Sequence, residues 1–176
     1  MFIYSAGFLL VFACVACSAG VSAAQDQVQA GVYSDKNGYY SFVPPAGWTM
    51  EDFTRGYRSS VVFVSPDGAA KILIMAELDS GDLGALFLSK KELSRANKQR
   101  DPNGTFAART TTIGGFKAVE MDYEVPGLTK KEFYYFFFRG MRFDLTYSAS
   151  NEQDFQRFKD AALVSFSSIK PAGAAP

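Results

Sequence analysis

The sequence predicts an α+β protein built on one largely antiparallel β-sheet. Three observations carry that expectation. Short apolar and β-branched runs recur through residues 39–78 and again through 105–148, with turn residues between them. Only two stretches, 82–98 and 152–166, switch to helical spacing. Most links between the strand-like runs are too short for a parallel crossover, which needs a dozen or more residues.

The elements follow in order. Residues 39–45 alternate briefly and stop at Pro44-Pro45; Gly47 then leads into a short strand over 48–53. Residues 61–64 form an apolar strand, and 71–78 return antiparallel to it. Between them lies Pro66-Asp67-Gly68, where proline presets φ and glycine accepts the left-handed position. Over 82–98, Leu83, Leu86, Phe87, Lys90, Leu93 and Ala96 recur at three and four, so a helix is expected with its apolar face on those residues. Ser80 or Asp82 caps it, and Asp101-Pro102-Asn103-Gly104 ends it. The β-branched run 105–112 turns at Gly114-Gly115 into 116–123, and Pro126-Gly127 opens a loop. The runs 131–138 and 141–148 flank Arg139-Gly140 and read as a tight hairpin. Ser150-Asn151-Glu152-Gln153 has capping-box spacing, and the helix after it carries Phe155, Phe158, Ala162 and Phe166 along one side. Residues 170–176 form a small-residue tail expected to lack structure.

Composition excludes several functions. The chain of 176 residues has no histidine, and its two cysteines, Cys14 and Cys17, both precede the first charged residue, Asp26. Zinc and iron sites rely on those two residue types, so no metal site is expected. Acidic and basic residues number 18 each, and a neutral domain offers no basic face for nucleic acid and no polybasic membrane patch. There is no phosphate loop and no G-x-S-x-G elbow. No cofactor is expected.

The first residues read as an export leader. Residues 2–12 are almost wholly apolar, and the chain then turns small through Ala13, Ala16, Ser18, Ala19 and Gly20 to Ala23 and Ala24. That is the pattern of a cleaved signal peptide. Val15-Ala16-Cys17-Ser18 also resembles the end of a lipobox, in which Cys17 would be the acylated residue. An uncleaved anchor is the third reading, and the small, glycine-containing tail argues against it. The expected organisation is a leader over 1–24, a polar tether over 25–31, a single domain over 32–169 and the tail over 170–176. The expected compartment is periplasmic or extracellular, with membrane attachment only through the leader or a lipid on Cys17.

The hairpin carries the strongest local signal. A two-residue turn sets Phe138 opposite Met141, Phe136 opposite Phe143 and Tyr134 opposite Leu145, a face that must be core. The other face carries Phe133, Tyr135 and Phe137 opposite Thr146, Asp144 and Arg142. Three aromatics beside a charge offer stacking area and an anchor for an anionic or amphipathic group. Phe133, Tyr135, Phe137, Arg142 and Asp144 are therefore the candidate binding residues. The competing expectation is that a helix covers them. Trp48, the one tryptophan, is expected to plug the end of the core. Glu120 and Asp122 share one strand face, where two carboxylates could bind a cation, but a solvated strand edge explains them as well. Asp79 and Asp82 suit a helix start. Ser89-Lys90, and Ser94 with Lys90, are the Ser–Lys pairs available for catalysis, and both are expected to be solvated on a helix.

These residues also suggest a family. Tyr39-Tyr40-Ser41-Phe42-Val43-Pro44, followed by Gly47-Trp48, resembles the opening strand of PsbP-like proteins. The end is similar too: paired strands over 133–138 and 141–147, a polar cap, Phe155 to Phe158, and Val164-Ser165-Phe166. The similarity spans roughly residues 32–169 in element order. It implies an α/β/α sandwich, with helices on both faces of a central, largely antiparallel sheet. It also implies non-enzymatic work, since members serve as accessory subunits, small-GTPase binders, secretion chaperones or periplasmic lipoproteins. Photosystem members have been linked to metal through histidine, which this chain lacks, so no metal site carries over. The function expected is an exported binding or assembly accessory of the cell envelope, with an envelope protein or an amphipathic ligand as partner. The alternative is a small histidine-independent hydrolase using carboxylates or a Ser–Lys pair.

Overall fold

The computed structural model describes residues 26–27, 31–125 and 130–174. The leader, Cys17 and the Pro126-Gly127 turn lie outside the described residues. Among the described residues eleven strands and two helices follow one another: β1 (Asp26–Gln27), β2 (Tyr33–Ser34), β3 (Tyr40–Phe42), β4 (Thr49–Asp52), β5 (Ser59–Val64), β6 (Ala70–Leu78), α1 (Leu83–Arg100), β7 (Thr105–Ile113), β8 (Phe116–Glu124), β9 (Lys130–Phe138), β10 (Met141–Ala149), α2 (Glu152–Ser167) and β11 (Lys170–Pro171).

Eight strands form one sheet in the order β1-β4-β5-β6-β10-β9-β8-β7, and every neighbouring pair is antiparallel. β11, β3 and β2 form a second, small sheet. Two elements depart from the sequence reading. Part of the polar tether, Asp26–Gln27, pairs with β4, and the tail is tied down at its start because Lys170–Pro171 pair with β3. The N–H of Ala172 then donates to the carbonyl of Tyr39 at 2.8 Å. Both segments are too short to show a period, so only their partners reveal them.

The hairpin β9–β10 has the expected register, with Phe136 opposite Phe143 and Tyr135 opposite Asp144. Arg139 and Gly140 both take positive φ, 49° and 75°, the type I′ turn whose twist matches the strands. Alternation then divides the sheet into two faces. The inner face holds the main core, where Phe136, Phe143, Leu145, Ile72, Ile74, Val61 and Phe63 meet Phe155, Ala162 and Phe166 of α2. The small sheet closes the same face, with Phe42 edge-on to Phe63 at 5.2 Å and Tyr40 edge-on to Phe143 at 6.1 Å. Trp48 is buried and sits edge-on to Phe158 at 5.6 Å, the plug the sequence suggested. On the outer face α1 packs over Val119, Met121 and Tyr135. Helices therefore lie on both faces of an antiparallel sheet, as expected.

Both helices are capped by side chains. Asp82 Oδ1 accepts the N–H of Ala85 at 2.9 Å, as one of the two expected caps. For α2 the cap is Asn151, one residue after the Ser150 expectation; it accepts the N–H of Asp154 at 2.9 Å. The Ser150 N–H instead reaches Ala69 across the β5–β6 loop. The buried face of α1 also differs from the reading. Its second half turns Ser94 and Asn97 inward and leaves Leu93 45% exposed. Leu83, Phe87, Lys90, Ser94 and Asn97 follow the helical angle. The expected continuation through Leu93 and Ala96 followed the apolar letters and drifted off that face.

Candidate functional site

The candidate residues come together on the outer face, where α1 ends its cover of the sheet. Phe133 and Tyr135 on β9 lie nearly parallel, ring centroids 6.1 Å apart. Leu83, Leu86 and Phe87 of α1 pack over this end, and Tyr135 is only 9% exposed. The helix-cover expectation therefore holds for Tyr135. Phe137 is half-buried against the 79–81 segment, so close that a Cβ on Gly81 would lie 3.0 Å from its ring.

Arg142 projects from β10 into a ring of carboxylates. Its Nε donates to Asp144 at 3.0 Å, its Nη1 to Asp79 at 2.8 Å, and its Nη2 to Glu77. Arg58 adds a second cation, Nε at 3.6 Å from Glu77. The anticipated stacking of Arg142 on Phe137 is replaced by this network, because a guanidinium fork is better satisfied by carboxylates than by a ring face. The cation over an aromatic is Lys90, its Nζ 4.2 Å from the Tyr135 centroid.

That contact corrects the reading of Lys90 as solvated. Burial pulls the Lys90 ammonium below the usual lysine range, with the Asp144 charge opposing the shift. Asp144 is 8% exposed, and burial raises its carboxyl above the usual range, only partly offset by Arg142. Tyr135 is raised by burial as well. Burial, not a nucleophile–base arrangement, dominates each shift. Ser94 Oγ donates to the Lys90 carbonyl at 2.9 Å, the back-bond of a mid-helix serine, so it does not engage the ammonium. Asp79, expected at the helix start, belongs to the Arg142 ring instead.

Beyond Arg142 the outer face carries an apolar strip. Val62 and Val64 of β5 and Leu73 and Met75 of β6 share this side and are half-buried. α1 packs on β7 and β8 rather than over them. The structure brings Tyr135, Phe137, Arg142 and Asp144 to one face, as the hairpin register implied. Sequence reasoning passed over Glu77 and the valine–leucine–methionine strip, whose signal was the alternation of 60–64 and 71–77, visible once β6 pairs with β10.

A second polar cluster sits on the inner face. Glu120, Asp122 and Glu132 bring carboxylate oxygens within 4.8 Å of one another. Arg109 bonds Glu120 and reaches Asp122 at 2.8 Å; Lys159 reaches Glu132 at 2.6 Å. The Tyr134 hydroxyl donates to Glu132 at 3.0 Å. Glu120 is thus buried and ion-paired to Arg109 of the neighbouring strand, not at a solvated edge. The arrangement is a counter-charged network that ties α2 to the sheet.

The fold is that of PsbP-like proteins, an antiparallel sheet between helices. Among solved structures, cyanobacterial PsbP (CyanoP) from Synechocystis sp. PCC 6803 superposes with a TM-score of 0.55 at 16% identity, covering 80% of this chain and 91% of that one. A protein of Bacteroides thetaiotaomicron matches at TM-score 0.52 and 13% identity; 82% of this chain covers 49% of that one, about half its length. LpqN of Mycobacterium tuberculosis, involved in cell envelope biogenesis, superposes more loosely, at TM-score 0.40 and 13% identity over 80% of this chain and 91% of that one. No family model and no curated relative matches the chain. Among the described residues, no helix is long and apolar enough to cross a membrane.

Proposed function

We propose that this domain is a non-enzymatic binding or assembly accessory of the cell envelope, and that it meets a protein partner on the outer face of β5, β6 and β10. One observation carries the reading: an apolar strip of Val62, Val64, Leu73 and Met75 lies beside the Arg142 carboxylate ring, on the part of the sheet that α1 does not cover. An apolar centre with a charged rim is the anatomy of a protein interface. Phe137 and Arg142 stand at its border, and Tyr135 supports it from beneath α1. The internal pairing of Arg142 favours a partner that reads a neutral, hydrogen-bonding rim over one that delivers an anion. The Ser94–Lys90 form of the hydrolase alternative finds no support, since the Ser94 hydroxyl is bonded to a carbonyl. The uncharged leader ending in small residues supports export.

Affinity capture from an envelope extract tests the interface, comparing wild type with Leu73→Asp and Arg142→Ala. Both variants are expected to stay folded by circular dichroism and to lose a partner that wild type retains. If both are folded and keep every wild-type partner, the face is not the site. Intact mass of the protein from its host tests export: a chain starting near Ala24 or Gln25, or an acylated Cys17, is expected, and an intact Met1 would overturn it.

A further inference from the structure

A separate surface lies at the far end of the sheet, where β7 is the outermost strand. Gly114 and Gly115 take φ of 56° and 86°, a two-residue type I′ turn between β7 and β8. The closing pair of such a hairpin, here Ile113 and Phe116, exchanges ladder hydrogen bonds. Stepping back in twos, Thr111, Arg109 and Ala107 direct their backbone groups at β8. Thr112, Thr110, Ala108 and Phe106 direct theirs outward, where the sheet has no further strand among the described residues.

Natural edges are blunted by proline, lysine or bulges. β7 runs nine residues, Thr105–Ile113, without proline or lysine, and its register against β8 is unbroken. Its one charge, Arg109, is turned to Glu120 and Asp122. An edge of this length, with Arg109 its one charged residue, is a template for strand addition.

The helix above it selects the guest. α1 carries Lys90, Lys91, Arg95, Lys98 and Arg100 against Glu92 alone. Lys91, Arg95 and Lys98 line one side of a groove of about 410 Å³, with Phe106 and Ala108 of β7 on the other. Lys98 is held by the carbonyls of Pro102 and Gly104 at 2.7 and 2.8 Å. No carboxylate pairs with Lys91 or Arg95 among the described residues. In a chain of zero net charge, this is a local concentration of positive charge.

We infer that the β7 edge and the Lys91–Arg95 stripe together form a strand-addition site for an extended acidic polypeptide segment. A strand added outside β7 lies about 4.8 Å away, and every second side chain points to the α1 side. Acidic residues at alternate positions there meet Lys91 and Arg95, while the backbone completes the ladder with Phe106, Ala108, Thr110 and Thr112. A second copy of this chain fits less well. Two β7 edges paired antiparallel about a two-fold axis through the sheet would set both basic helices side by side on one face, like charge against like.

The test is fluorescence anisotropy with the protein purified from its host. The probes are a labelled dodecapeptide alternating Glu and Thr, its block isomer with all Glu first, and a version N-methylated at alternate amides. The alternating peptide is expected to bind saturably and to weaken with salt. N-methylation and the Lys91→Glu/Arg95→Glu variant are each expected to weaken it about tenfold or more, as a few lost ladder bonds or reversed charges require. Thr110→Pro removes one outward N–H and is expected to act the same way; its fold is checked through Trp48 emission. Equal binding of the block or N-methylated peptide, undiminished binding by the charge-reversed variant, or no saturation overturns the inference. So does a dimer in sedimentation that Thr110→Pro converts to monomer, which would give the edge to a second copy.

Discussion

Replacing Phe136 with alanine removes the ring at the centre of the sheet, and the structure sets the size of the effect. Phe136 is 0% exposed and lies between two parallel rings, Phe143 at 4.7 Å and Phe116 at 5.0 Å. Buried Phe→Ala changes cost about 3–5 kcal/mol. Each lost aromatic pair adds about 0.5–1.5 kcal/mol beyond area. Both faces are vacated, and the flanking strands β8 and β10 are themselves hydrogen-bonded to β9, so the gap has little room to collapse. The upper part of the range, about 4 kcal/mol, is expected. For a domain of this size that is a fall in Tm of about 8–16 °C. Urea unfolding followed by Trp48 emission measures it, since the lone tryptophan is buried against α2 and reports loss of the core. The m-value should not change. Phe137→Ala, one residue along and on the half-buried outer face, is the control and should cost less than half as much. A loss under about 1 kcal/mol at Phe136, or an equal loss at Phe137, would refute the assignment of faces.

Three further outcomes follow from the geometry. Arg142→Met strips Asp144 of its main counter-charge and should cost about 1–3 kcal/mol at neutral pH in the same unfolding assay. Because Asp144 has a folded pKa above its ordinary 3.8, it destabilises the fold as pH climbs from that value upward; in Arg142→Met the penalty grows, so part of the loss should return on acidification toward pH 4, and a pH-independent difference would count against it. Gly140→Ala keeps open space around the new methyl but must hold φ at 75°, so a cost of about 1–2 kcal/mol in urea titration is expected from backbone strain alone. Asp82→Ala removes the α1 cap and should cost about 1 kcal/mol by the same titration, with Asp82→Asn nearly neutral.

The parts of this fold that were readable share one property: their determinants are local. The Arg139-Gly140 turn fixes which residues of β9 and β10 face each other, so Phe136 against Phe143 followed from counting. Asp82 and the spacing of Leu83 to Lys90 placed α1. What escaped depends on partners distant in sequence. Counting across Gly114-Gly115 sets Arg109 opposite Glu120, but nothing near Glu132 says that Lys159 of α2 will reach it. Lys90 reads as a surface lysine until Tyr135 arrives beneath it from β9. The inward turn of Ser94 and Asn97 is hidden for another reason: the surface they meet is an edge strand of alanines and threonines, so the helix needs little hydrophobicity there. At the candidate site, the aromatic alternation announced a second face. The carboxylate ring that neutralises Arg142 draws on β6 and the loop after it, and it emerges only once β6 pairs with β10.

The placement of β10 beside β6 has a consequence during synthesis. β6 ends at Leu78, and its partner begins at Met141. At ribosomal speeds of about 5–20 residues per second, the β4–β5–β6 sheet waits roughly 3–13 s with one long side unsatisfied. That side belongs to β6, whose Ile72, Ile74 and Ala76 are wholly buried in the finished core. The nascent chain therefore carries a sticky half-sheet until about its last quarter emerges, and only the β9–β10 hairpin, arriving as a ready-made unit, can close it. Slowing translation after residue 100 should raise aggregation of this protein more than slowing it after residue 150, when the closing strand is already made.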